Sequence, residues 1–149
     1  MNQLTYRLFQ ISVPRFSYAL EHVRDVEGIG IAFKTFLEMG FDISSSTIHV
    51  LLSVEGVSKK YQHPLVTIAS DTVFEIKDFK DLINDGRLHI SRDSVVTFAS
   101  ISFSTLRGIL YQRLTGTPLQ NLALPVINPN TLVPEDFPES IEIETNEPD

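Results

Sequence analysis

The chain has 149 residues, 42% hydrophobic and 21% charged, with no cysteine and a formal net charge of −7. That is the size and balance of one globular domain with a sizeable core, and it excludes a disulfide framework, a thiolate metal site and a cysteine nucleophile. Met1–Arg113 carries 12 acids and 12 bases, so the whole excess falls in the last 36 residues, and no basic surface is concentrated enough for nucleic acid.

The first residues lack the basic start and apolar centre of a signal peptide, and no apolar run approaches a membrane span. A soluble, cytoplasmic protein without membrane insertion is expected. Leu4–Val13 is a mixed apolar segment interrupted by Pro14. Phe16, Tyr18 and Leu20 then alternate with Ser17, Ala19 and Glu21, which predicts a half-buried strand; the proline suggests an edge or a kink. His22–Glu27 is a polar connection.

Ile29–Phe41 is the clearest strand. Ile29, Ile31, Phe33, Leu37, Met39 and Phe41 share one face, while Ala32, Lys34, Phe36, Glu38 and the glycines share the other. Asp42–Ser46 is turn-like, Thr47–Val57 alternates again, Gly56–His63 connects, and Pro64–Ile76 is a further strand with a bulge expected at Ser70-Asp71. Lys77–Asp85 is expected to form a turn or two of helix, with Phe79, Leu82 and Ile83 inward and Gly86 at its end. A helix follows from a cap near Asp93 or Ser94 to about Leu114, closed by Gly116 and Pro118. Val95, Phe98, Ala99, Ser102, Leu106, Ile109 and Arg113 form its stripe, and Ile101, Leu110 and Tyr111 widen it. Ser102, Ser104 and Gly108 are poor helix formers, so packing must hold it. Leu119–Ile127 is apolar and extended, ending in the turn Asn128-Pro129-Asn130.

Four strands with short polar connections and then one helix predict an α+β fold, a four-stranded antiparallel sheet followed by a long C-terminal helix. Residues 1–133 form the domain. From Pro134 to Asp149 the acids and prolines predict a flexible tail, with Phe137 and Ile141 as docking points.

No catalytic set emerges. The histidines, His22, His49, His63 and His89, lie in separate segments without zinc-site spacing. Gly28-Ile29-Gly30 lacks the third glycine and the helix of a dinucleotide fingerprint, and Leu114–Pro118 lacks the glycine-lysine pair of a phosphate loop. The serine-rich pieces have no nucleophile elbow. No enzyme, metal or cofactor is expected. What remains is apolar surface. Phe36, Leu51 and Val57 sit where solvent-facing residues belong, and with Phe16 and Tyr18 they point to an oligomer or a binding groove.

The C-terminal third carries a resemblance. Ser104-Thr105-Leu106-Arg107-Gly108-Ile109-Leu110, then Gly116-Thr117-Pro118, then Leu124-Pro125-Val126-Ile127-Asn128-Pro129 resemble the signature of the SecB family of bacterial protein-export chaperones and its SecB-like relatives. Over the strands the similarity is one of pattern. The resemblance implies a homotetramer, a dimer of dimers, that holds unfolded polypeptide in apolar grooves without ATP. It implies client contacts at Phe16, Tyr18, Phe36, Phe74, Leu124 and Ile127. The small residues of the helix imply a subunit interface at Ser102, Leu106, Gly108 and Ile109. The family's second helix should be short or missing here, because Pro134 follows Asn128-Pro129 so soon. The acidic tail and the lack of acids near Leu65 and Thr67, and over Gln10–Ala19, argue against SecA as a partner. A dedicated client such as an antitoxin fits as well as general export or better. The alternative is a structural or assembly protein using the same oligomeric fold without client turnover.

Overall fold

The computed structural model describes residues 4–19, 31–59, 64–122 and 124–143. Four long strands make one sheet: β1 (Tyr6–Tyr18), β2 (Ile31–Asp42), β3 (Thr47–Ser58) and β4 (Pro64–Ile76), in spatial order β1-β4-β3-β2. All neighbours are antiparallel, so β1 and β2, consecutive in sequence, stand at opposite edges. A 3-10 turn at Phe79–Leu82 leads into β5 (Ile83–Asn84) and β6 (Arg87–His89), and α1 (Arg92–Leu114) follows. The expected sheet and helix are both present.

Alternation sorts the side chains as it should. Ile48, Val50, Leu52 and Val54 of β3 and Val66, Ile68 and Phe74 of β4 are buried on one face. On that face α1 lays down Val95, Phe98, Ala99, Ser102, Phe103, Leu106, Leu110 and Leu114. Burying each large apolar side chain contributes about 1.5–3 kcal/mol. Phe74 and Phe98 stack at 4.5 Å between ring centroids, and Tyr6 meets Phe98 edge-on at 5.0 Å. These three rings tie β1, β4 and α1 together.

The helix starts earlier than its sequence suggested. Its cap is Ser91, whose side-chain oxygen accepts from the Ser94 N–H, while Asp93 sits in the first turn and Arg113 in the last. Gly116, at φ +80°, stands just past the end as expected. Thr97 and Thr105 donate to the carbonyls four residues back, which satisfies their hydroxyls within the helix. By length and composition α1 is long and apolar enough to cross a membrane, contrary to the expectation that no run was. Its buried face, however, is the lid of this core.

Other expectations are corrected. Ser70-Asp71 is no bulge, since β4 runs through it in register with β3. The irregularities opposite β4 lie on β1, between Leu8 and Gln10 and between Ser12 and Arg15, where Pro14 falls. Gly86 does not end a helix. Asp85 and Gly86, at φ 50° and 68°, turn a β5–β6 hairpin, and only Phe79–Leu82 is helical before it. The stretch after Pro134 is fastened to the body as far as Ile143. Ser140–Glu142 forms β7 beside β6, Arg87 bonds the Ser140 hydroxyl and the Glu142 carboxylate, and Ile143 N–H donates to Gly86. The flexible-tail expectation for 144–149, and the strand residues expected at Leu20, Glu21 and Ile29, lie outside the described residues. A 3-10 turn, Pro129–Leu132, follows the extended segment after α1.

Candidate functional site

Three surfaces leave apolar side chains in water. The first is β1. No described strand pairs with its outer edge, and its side chains are exposed in both halves: Tyr6 and Leu8 before the bulges, Phe9 (57% exposed) in the first, Tyr18 after them. Phe16 and Tyr18 touch at 5.8 Å between centroids, and the Arg113 guanidinium stands 5.3 Å over the Phe16 ring. A strand with an open edge and an apolar surface is a template for a second polypeptide.

The second surface is the sheet face away from α1. Phe36 on β2 is 56% exposed. Its partner across the ladder is Ser53, and exposed Leu51 stands two residues further along β3. Leu51 lies opposite Glu38 on one side and Asp71 on the other. The Asp71 carboxylate meets His49 Nδ1 at 3.2 Å, and Arg7 meets Glu75 at 2.9 Å. Phe36 and Leu51 are therefore apolar islands in a charged surface. Cross-strand pairing also puts Glu55 opposite Thr67, so this face carries an acid at the position where linear reading found none.

The third is a cleft between α1 and the segment that follows it. Ser100, Phe103, Ser104 and Arg107 line the helix side, and Val126, Ile127, Pro129 and Leu132 line the other, around a cavity of about 110 Å³. Asn128 caps the Pro129–Leu132 turn, its side-chain oxygen accepting from the Asn130 N–H, and Arg92 grips the carbonyls of Val133 and Pro134 at 2.9 Å. The segment is thus pinned at one end while Val126 stands 86% exposed.

The expected client residues separate. Phe16 and Tyr18 share the β1 surface, Phe36 is on the bare face, and Ile127 is in the cleft. Phe74 and Leu124 are core residues, Phe74 stacked on Phe98, and offer no surface in this fold. The reason is register: Phe74 falls on the helix-facing side of β4. Of the expected interface residues, Ser102 and Leu106 are fully buried against the chain's own sheet, Ile109 is half-buried, and Gly108 is exposed with open space around it. The outward helix face is instead Thr97, Ile101, Ser104 and Gly108, at successive steps of four, three and four. Val57, expected outward, is buried past a register shift at Gly56. Sequence reasoning missed Tyr6, Leu8 and Phe9, which it read only as part of a mixed apolar segment. Their position beside a bulge at an edge is the signal that Pro14 already carried.

Among the described residues no group of three or more His, Asp or Glu is placed to hold a metal ion.

No family model matches the chain, and no curated protein matches it. Solved structures do. The SecB-like chaperone of Mycobacterium tuberculosis, in complex with a ChAD peptide from the HigA1 antitoxin, superposes with TM-score 0.57 at 14% identity, over 82% of this chain and 90% of that one. A Streptococcus agalactiae protein of unknown function gives TM-score 0.44 at 12% identity, over 85% of this chain and 100% of that one. At such identity the first likeness establishes the fold: the sheet order and single long helix described above are SecB-like.

Proposed function

We propose that this protein is an ATP-independent holdase that binds non-native polypeptide as an oligomer. The observation that carries the reading is β1, an edge strand of 13 residues whose exposed side chains include Tyr6, Leu8, Phe9 and Tyr18. A non-native chain offers unpaired backbone and apolar side chains together, and such an edge meets both. Binding the unfolded state selectively holds it by mass action, with no nucleotide needed. The SecB-like fold, seen in a chaperone with a bound antitoxin peptide, supports the same reading.

Oligomerisation belongs to the outward face of α1 around Thr97, Ile101 and Gly108, where Gly108 allows close approach of a second helix. A homotetramer, dimer of dimers, is the assembly this reading takes over from the resemblance. The bulges on β1 limit continuous strand addition and so suit a surface that accepts chains without polymerising. A dedicated client such as an antitoxin fits as well as general export through SecA or better, because the described tail strand carries no base and is itself held by Arg87 of β6.

Two measurements test this. Light scattering should give a mass several times that of the chain. Aggregation of a slowly refolding protein should be suppressed at stoichiometric ratio without nucleotide. An oligomer that fails to suppress at several-fold excess would favour a structural protein, and a monomer that fails would end the chaperone reading.

A further inference from the structure

Arg107 is a half-buried charge with no ion-pair partner among the described residues. It sits midway along α1 in the wall of the cleft. The other described arginines near a partner are engaged: Arg7 with Glu75, Arg87 with Glu142 and Ser140, Arg92 with two carbonyls, Arg113 with the Phe16 ring. Around Arg107 the cleft supplies the Ser100 and Ser104 hydroxyls, four residues apart on the helix, and an apolar wall from Phe103, Ile127 and Leu132. One helical turn on, Tyr111 extends the same flank and is 64% exposed.

We infer that this cleft is a second client subsite, which takes a carboxylate side chain, Asp or Glu, from an extended peptide whose neighbouring residues are apolar. The inference rests on the holdase reading above and adds to it a chemical preference that apolar surface alone cannot give. A guanidinium with no partner in a partly desolvated wall is poorly solvated and favours an anion, and its planar fork suits a carboxylate. The hydroxyls can donate to the second carboxylate oxygen, and the apolar wall accepts the flanking side chains. The chain's own described acids do not fill the role. Glu142 is held by Arg87, and the Ile143 N–H donates to the Gly86 carbonyl of the β5–β6 hairpin. Arg107 also lies about 100° around the helix from Gly108, so an interface centred on that glycine leaves this flank open.

The test is calorimetric titration of the full-length protein with a short apolar peptide carrying one internal glutamate, against the same peptide with glutamine. The glutamate peptide should bind about tenfold more tightly, as expected when a charge-assisted hydrogen bond is made. Arg107→Gln should abolish the difference and Arg107→Lys retain part of it, with thermal midpoints unchanged as the folding control. Equal affinity of the two peptides for the wild type overturns the subsite and leaves the holdase reading standing. Binding of neither peptide overturns both. The full-length variant Glu144→Gln/Glu147→Gln/Asp149→Asn gives a further arm. Unchanged peptide affinity supports a client subsite, whereas a tenfold gain shows that the cleft belongs to the acidic terminus of a second copy.

Discussion

The two edges of the sheet are built differently. β2 keeps an unbroken register with β3 over all 12 of its residues, and its apolar side chains, Ile31, Phe33, Leu37, Met39 and Phe41, are half-buried under the helix side. On its other face Lys34 and Glu38 flank the exposed Phe36 with charge. β1 is bent twice against β4, holds Pro14 at the second bend, and leaves aromatic and aliphatic side chains in water at both ends. A regular edge is protected by charge, and an apolar edge by irregularity. The contrast shows which edge is dressed for a second chain: β1 has an adhesive surface with its geometry deliberately interrupted, and β2 has the reverse.

This comparison can be broken at several points. The largest effect is expected where β1 meets the core. Phe74→Ala removes the ring that stacks on Phe98 and supports Tyr6, and should cost about 3–5 kcal/mol in urea denaturation. Next is Gly56, whose absent side chain lets β2 close on β3. A Cβ there would meet Val66 Cγ1 at 3.0 Å and Phe33 Cε1 at 3.1 Å. Gly56→Ala should therefore destabilise by about 1–2 kcal/mol and loosen the regular edge, measurable as faster amide exchange along β2. Pro14→Val should leave stability within about 0.5 kcal/mol but restore a donor at the second bend, raising self-association by light scattering. The smallest effect is at the β2–β3 turn. Hydrogen bonds from Ser44 and then Ser45 hold the Asp42 carboxyl below the usual carboxylate range. Its folded value lies below its unfolded one, so its contribution to stability is present above the unfolded value and is lost as pH falls through the lowered one. An NMR titration of Asp42 should show the depressed midpoint, and Ser44→Ala should raise it.

Much of this architecture is legible in the residues. Period-two alternation located three strands to within a residue or two over their described lengths, because each buries one face strongly. The helix was legible from its apolar stripe, its start obscured because Ser91 and Ser94 are equally good caps and tertiary contacts chose the earlier one. Asp85-Gly86 was misread because Phe79, Leu82 and Ile83 mimic a helical spacing, although that dipeptide is the stronger turn signal. The site was less legible. Phe36 stands out on a polar face, but Phe74 and Leu124 look the same in sequence as exposed residues; the register of β4 turns Phe74 toward α1, and Leu124 joins the core from the segment after the helix. Ser102 and Leu106 were placed outward for the same reason: a helix this rich in small residues has two packable faces, and sequence alone does not say which one the sheet takes. The Arg107 cleft depends on the return of residues 126–132 across the helix, which no local pattern announces.

The account stands or falls on whether the apolar edge does the holding. The measurement is suppression of client aggregation by Phe9→Ser/Tyr18→Ser, compared with wild type at matched thermal midpoint. Both side chains are exposed, so stability should change by less than about 1 kcal/mol. The account predicts that suppression falls several-fold while the oligomer mass is unchanged. Full suppression by the double variant would contradict it.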